Sequence, residues 1–418
     1  MTPIQELNET VAEIRKQAAQ IARFYRYYNG DHDINFASEK FNNKFGERLQ
    51  KLHDNLCKAV VNAPASRLEV LDFGSDVLNI GDDAWKIWRR NFMPRCERDV
   101  YREAFRTGSA FVTVWPNRKT RAAGIYPQRA SECKVWKDPE TDRTLKAAKR
   151  WTSHDIEHLT IYYPDRIEKY SATKDSVIER VTGTAFQPRF VESEPWPMPN
   201  PFGEVPVFEF TTTENRSILE DVIPLNDALN KTLADVMTAG ENNAIRKRWL
   251  SGVQFERDEE TGKGVVPFEF DDQAWCSPNV EARFGEFPDV SLGSFVQVAS
   301  QYRDEIARVS GIPLHYFAGS SGSPSGEALR TAEAGFTAMI TDGQLSFGEV
   351  WAEVMELALA MDRKIFDREI EIVVRWRDAG PTSLSTRLKD GLKKQELGIA
   401  RKVILEELGY TNDQMAPS

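Results

Sequence analysis

At 418 residues, and roughly 150 residues per domain, the chain has room for more than one domain, and 41% hydrophobic with 28% charged residues is an ordinary globular composition. Wholesale disorder, collagen and low-complexity architectures are excluded on that ground. The net charge of −10 is regional, because residues 251–290 carry ten acids against three basic residues and residues 331–362 carry six acids with no lysine or arginine. No basic stripe of the kind that grips duplex DNA is present.

The opening residues MTPIQELNETVAEIRKQ are polar and helix-patterned, so neither a signal peptide nor a membrane span is expected. Ile4, Leu7, Val11, Ile14, Ala18 and Ile21 recur at three- and four-residue spacing, which predicts a helix closing at Asn29-Gly30. The first hundred residues read as helical throughout. A second helix is expected from Glu47 to about Val61, stopping before Pro64, and a third from Asp83 to about Phe105, interrupted near Pro94. From Gly108 the period changes to two, and FVTVW, GIYPQ, ECKVW, LKAAKRW, LTIYY and RIEKYS predict an antiparallel sheet that ends near a proline-dense segment before Phe210.

Helices then resume. Ser217 to Glu220 fits a capping box for a helix running to about Trp249, with Pro224 forcing a bend or restart and Arg246, Lys247 and Arg248 in the last turn. VQFE and VVPFEF flank DEETGKG as a hairpin, and a helix follows from about Val290 to Val309. SGIPLHYFAGSSGSPSG reads as a loop, with Ser323 and Pro324 suited to start a helix of roughly forty residues to about Phe366, in which Gly335, Gly343 and Gly348 are expected kinks. A strand, EIEIVVRW, and two short helices complete an α+β chain.

The chemistry-bearing motifs are few. Cys57, Cys96, Cys133 and Cys276 are far apart with no CxxC, which suits free thiols and argues against a thiolate zinc site. The sequons at Asn8, Asn215 and Asn230 are read as chance matches for the same reason. His154, Glu157 and His158 match H-x-x-E-H, but the motif lies between strand-like runs that leave no room for the helix a metal site needs. It is read as a surface turn or strand edge. GSSGSPSG at Gly319–Gly326 lacks the lysine and preceding strand of a phosphate loop, and no G-x-S-x-G or Walker pattern occurs. No catalytic residue, metal or cofactor is therefore assigned. The basic C-terminal helix pair, with Arg387, Lys389, Lys393, Lys394, Arg401 and Lys402, resembles a helix-turn-helix by length and charge, and is read as a solvated or assembly-contact hairpin. The aromatic-rich N-terminal helices are read as core.

YYNGDHD at Tyr27–Asp33, LCKAVVNAPASRLEV at Leu56–Val70, VIPLNDALNKTLAD at Val222–Asp235, and SGIPLHYFAG with SPSGEALR at Ser310–Arg330 give the chain its resemblance to a known family. It resembles the portal proteins of tailed bacteriophages, in the siphophage branch. The resemblance implies a phage portal fold: a helical and β wing over 1–216, stem helices at 217–250 and 290–310, a small β clip at 251–289, a tunnel loop at 311–323, a long kinked helix and wing strand at 324–381, and a short helical crown at 382–418. Asn226, Asp227, Asn230 and Lys231 would lie on the stem, and Asp258, Glu259, Glu260, Asp271 and Asp272 on a partner-docking clip. His315, Tyr316 and Phe317 would form the base of a DNA-facing loop whose tip is Gly319, Ser320, Ser321 and Gly322, against the plainer reading of a flexible connector.

The implied assembly is a homo-oligomeric ring, commonly of twelve subunits, at one capsid vertex of the virion. Its implied partners are the terminase large subunit, a head-completion adaptor, the major capsid and scaffold proteins, and double-stranded DNA passing without sequence-specific binding, with no membrane. Acidic walls that repel phosphate agree with such a conduit. A sequence-specific DNA binder using the C-terminal hairpin and a metal-dependent hydrolase stay open as alternatives.

Overall fold

The computed structural model describes residues 3–31, 54–173, 186–191, 194–244, 248–252, 256–257, 264–265, 280–287, 291–317, 326–363, 371–380, 384–399, 401 and 404. The chain divides into two compact units, one of Met1–His32, Asn55–Ile223 and Ala307–Ser418, the other of Asp33–Asp54 and Pro224–Ile306.

The first unit begins with helix α1 (Pro3–Asn29), whose Leu7, Val11, Ile14, Ile21 and Phe24 are buried at the spacing of one helical face. Its partner is the six-stranded antiparallel sheet of β4 (Cys133–Lys137), β5 (Thr144–Ser153), β6 (Ile156–Tyr162), β7 (Arg166–Thr173), β8 (Gln187–Pro188) and β9 (Met198–Pro199), in which β9 also pairs with β7. Leu7, Val11 and Ile14 share one cluster with Ala148, Leu159, Ile161, Ala172 and Phe186. Burying each such side chain is worth about 1.5–3 kcal/mol. Polar contacts fix the register: Lys146 bonds Glu6 at 2.9 Å, and Gln17 donates to the carbonyls of Ala130 (2.7 Å) and Cys133 (3.0 Å).

Helix α2 (Leu56–Arg67) is capped by the Asn55 side chain, which accepts from Lys58 N–H at 3.2 Å. It runs through Pro64 rather than stopping before it. The turn holding Ala63, Pro64 and Ala65 is buried, so tertiary burial outweighs the one backbone bond the proline forgoes. Strand β1 (Val70–Gly74) follows, where the sequence suggested only helix, and pairs antiparallel with β15 (Val373–Trp376) from the far end of the chain. Helices α3 (Ile80–Arg90) and α4 (Met93–Thr107) are separated at Asn91-Phe92, where Phe92 takes φ 55°, and Pro94 sits in the first turn of α4, where no N–H is required. Gly108, at φ 95°, ends α4 and opens β2 (Ser109–Pro116). β2 is the middle strand between β3 (Ala123–Gln128) and β10 (Val207–Thr211).

Helix α7 (Gly326–Arg363) holds this unit together: its 38 residues span about 57 Å. It is helical through Gly335, Gly343 and Gly348. At Gly348 a Cβ would stand 3.1 Å from the Trp376 indole nitrogen, so that glycine serves close approach of β15. Trp351, fully buried, meets Trp88 edge-on at 4.7 Å and Phe210 at 4.5 Å, while Phe347 stacks on Tyr101 at 5.6 Å. Of the N-terminal aromatics read as core, Phe24, Tyr27, Trp88, Tyr101 and Phe105 are buried, whereas Phe92 is exposed. The other long helices are α5 (Val222–Ala244) and α6 (Leu292–Ser310), which precede and follow the strands of the second unit in the chain, and α8 (Leu384–Glu396).

In the second unit, Pro224 falls within the first turn of α5 and produces no restart, because the helix begins only at Val222. The helix ends at Ala244, and Arg248, expected in its last turn, opens strand β11 (Arg248–Ser251) instead. β11 pairs with β14 (Arg283–Glu286), and β12 (Glu256–Arg257) pairs with β13 (Gly264–Val265), the hairpin expected around DEETGKG.

Candidate functional site

The loop that follows α6 leaves from a built base. Gly311, at φ 69°, turns the chain out of α6, and Leu314–Tyr316 forms one 3₁₀ turn closed by Tyr316 N–H to Pro313 C=O (3.0 Å) and Phe317 N–H to Leu314 C=O (2.9 Å). Glu333 of α7, 2% exposed, sits beneath that turn and gathers its polar groups. His315 Nε2 lies 3.0 Å from Glu333 Oε1, and Arg67, the last residue of α2, donates to Glu333 Oε2 at 2.8 Å and to Tyr316 Oη at 2.7 Å. The Tyr316 ring meets Phe336 edge-on at 5.5 Å, with the Arg67 guanidinium 5.9 Å from the same ring. A buried carboxylate thus ties the exit of α6, the end of α2 and the start of α7 together. Charge-assisted bonds of this kind are about twice as strong as neutral ones.

His315 and Tyr316 are therefore engaged in this anchor, Tyr316 half-buried and His315, like Leu314 beside it, exposed. Gly319, Ser320, Ser321 and Gly322 lie outside the described residues, as do Asp258, Glu259, Glu260, Asp271 and Asp272. Neither Arg67 nor Glu333 stood out in the sequence. Glu333 is one of the six acids of 331–362, and those acids do not act alike: Asp362 accepts from Arg90 and from Ala123 N–H, both at 2.7 Å. Two of the six are thus neutralised by partners and do not contribute a repelling wall.

In the second unit Asn226, Asp227 and Asn230 are buried on α5. Asn230 accepts from Asp54 N–H at 2.8 Å and donates to Asn226 C=O at 3.0 Å, while the Asp54 carboxylate takes Arg303 of α6 at 2.9 Å. Asp54 therefore contacts both helices, and Lys231 pairs with Asp235 one turn on. Around the strands of this unit, Trp249 lies against Gly285, and Phe284, Phe287 and Val280 are exposed, an apolar surface left to solvent.

The H-x-x-E-H residues occupy a hairpin. His154 (φ 49°) and Asp155 (φ 59°) form the two-residue turn joining β5 to β6, Glu157 is held by Arg150 at 2.6 Å, and His158 stacks on Trp151 at 5.1 Å. The strand edge and turn expected from the flanking runs are what the chain forms there. Among the described residues no group of three metal-ligating side chains converges, and no helix is long and apolar enough to cross a membrane.

Residues 8–416 match the family model described as "Phage portal protein, SPP1 Gp6-like". Over 390 residues, covering 86% of this chain and 76% of the relative, the sequence is 22% identical to the portal protein of Mycobacterium phage L5. Among solved structures, similarity extends to a chain of the neck of a native gene transfer agent particle computed with C12 symmetry, at TM-score 0.45 and 12% identity over 85% of this chain and 88% of that one. A chain of the neck of the empty particle, computed with C6 symmetry, gives TM-score 0.46 and 10% identity over 90% and 95%.

Proposed function

The chain belongs to the phage portal protein family, a family of structural rather than enzymatic virion proteins, and from that premise we propose that it assembles into a closed ring at one capsid vertex through which double-stranded DNA enters and leaves. The observation that carries this reading is the extent of the family match, which begins at residue 8, ends at residue 416 and so takes in both compact units. A ring of twelve follows the family pattern. Within it, 1–216 serves as wing, α5 and α6 as stem, 251–289 as clip and 311–323 as tunnel loop, with the terminase large subunit and then a head-completion adaptor docking on the clip, and scaffold and capsid protein on the wing. Assembly takes place in the host cytoplasm.

Two physical features support the reading. The exposed Trp249, Phe284 and Phe287 are the kind of surface that assembly covers. The anchor at Glu333 gives the loop after Phe317 a fixed base, which a loop that touches moving DNA requires. Negative-stain microscopy and native mass measurement of the purified full chain test the ring: closed rings are expected, and a 47.6 kDa species alone at every concentration and salt overturns it.

A further inference from the structure

Alternate residues of β5 face opposite ways. Lys146, Ala148 and Arg150 face α1, through the Glu6 contact, the apolar cluster and the Arg150–Glu157–Arg15 ion pairs. Lys149 and Trp151 face away. There the Lys149 ammonium lies 5.2 Å and the Arg189 guanidinium 5.5 Å from the centroid of the Trp151 ring, and the His158 ring stacks on it at 5.1 Å. Arg189 bonds His158 Nδ1 at 3.2 Å, and its Nε is buried with no hydrogen-bond partner. Among the described residues no carboxylate forms an ion pair with Lys149 or Arg189, although burial pulls the Arg189 pKa down. Burial, and then Arg189, also lower the His158 pKa. The face therefore holds two half-buried cations that form no direct ion pair among the described residues, with the Glu194 carboxylate acting on Arg189 only at longer range.

The opposite arrangement occurs elsewhere in the same unit. A cavity of about 630 Å³ lies between β10, the β4–β5 hairpin and α7, with Val205 and Leu357 in its walls and Glu209, Glu349 and Glu353 lining it. Lys137, Arg143 and Arg363 line it as well, but among the described residues none of these three carboxylates forms a hydrogen bond or ion pair, and burial raises the pKa values of Glu209 and Glu353 against the pull of Lys137. Thr144 in the cavity wall and Trp151 on the basic face are seven residues apart on β5, about 23 Å. One chain cannot bring the two patches together.

We propose that the face carrying Lys149, Trp151 and Arg189 on one copy of this chain docks into the cleft lined by Glu209, Glu349 and Glu353 on the next copy. The inference rests on the ring reading above. A ring of identical subunits needs two different, mutually complementary patches on each subunit, and this pair sets a basic patch against a predominantly acidic cleft, each with charged groups that form no direct ion pair within the described residues of one chain. A nucleic acid is the poorer occupant of the basic face, because the cations and the imidazole already occupy the Trp151 ring and leave no platform for a base.

The experiment is a charge exchange in the full-length protein: Arg189→Glu, Lys149→Glu and Glu353→Arg alone, and Arg189→Glu with Glu353→Arg together, each checked for unchanged thermal unfolding of the single chain. At a concentration where the parent chain is half assembled, each single variant is expected to lose ring by about tenfold, and the double variant to return to within about twofold of the parent. Single variants that assemble like the parent overturn the contact while leaving the ring reading intact. A double variant with no recovery overturns it as well, and so does binding of a duplex oligonucleotide to the parent chain that Arg189→Glu abolishes. A parent chain that never assembles overturns both readings.

Discussion

Arg67 and Glu333 meet at 2.8 Å across 266 positions of sequence, with the carboxylate almost fully buried and the guanidinium only partly so. Because the pair also holds Tyr316 and His315, it transmits the position of α7 to the exit of α6. Removing one charge leaves the other uncompensated, so Glu333→Gln is expected to cost about 2–4 kcal/mol, moderated by the water that reaches Arg67. Tyr316→Phe removes one hydrogen bond and is expected to cost about 1 kcal/mol. Denaturant unfolding of both variants checks the ranking, and equal effects would show that the carboxylate is not the hub.

A second prediction follows from the contact of α3 with β1. A Cβ on Gly81 would stand 2.2 Å from the Phe73 carbonyl oxygen, which is backbone and cannot rotate away. Gly81→Ala must therefore push α3 off the strand that pairs with β15. The expected cost is about 3 kcal/mol, read as a lowered denaturation midpoint, and an unchanged midpoint would mean that the strand shifts freely.

Glu97 supplies a pH signature. It is fully buried on α4, where Oε2 accepts from Val70 N–H at 3.1 Å and from Tyr101 Oη at 3.0 Å, and Oε1 has no hydrogen-bond partner. Burial pushes its pKa up to about 8 from an ordinary 4.5. With the folded value above the unfolded one, the folded state keeps a proton that the unfolded chain releases, so Glu97's contribution is fully present below about pH 4.5 and is lost as pH rises through about 8. The slope is at most about 1.4 kcal/mol per pH unit. Stability of the parent chain is expected to fall from pH 5 to 8 relative to Glu97→Gln, and parallel profiles for the two proteins would remove Glu97 from the account.

Much of this architecture is legible in the sequence wherever the determining contacts are local. The three- and four-residue spacing of Leu7, Val11 and Ile14 marks the buried face of α1, and the two-residue period from Gly108 marks the sheet. What escapes is set by distant partners. Val70–Gly74 becomes a strand only because Val373–Trp376 lies beside it, and α2 continues through Pro64 because that turn is buried. Arg67 carries no local mark of its role, since the carboxylate it pairs with is far along the chain. Glu333 looked like one acid among six, and only packing distinguishes it from the exposed Glu349 and Glu353.

The last prediction concerns the segment between Phe317 and the start of α7. Gly319, Ser320, Ser321 and Gly322 have neither the bulk to pack nor the charge to bind, and glycine gives them access to φ values that other residues avoid. The residues before them are held by the 3₁₀ turn and by Glu333. In the proposed ring passing duplex DNA, such a segment would follow an asymmetric helix while its base obeys the symmetry of the ring. Gly319→Pro with Gly322→Pro restricts the backbone without changing charge. Particles carrying that variant are expected to assemble normally and to package or retain DNA several times less well than the parent. Normal assembly with normal DNA content would return the segment to the role of a plain connector, whereas loss of assembly would trace the defect to the Glu333 anchor, which Glu333→Gln measured in parallel would reproduce.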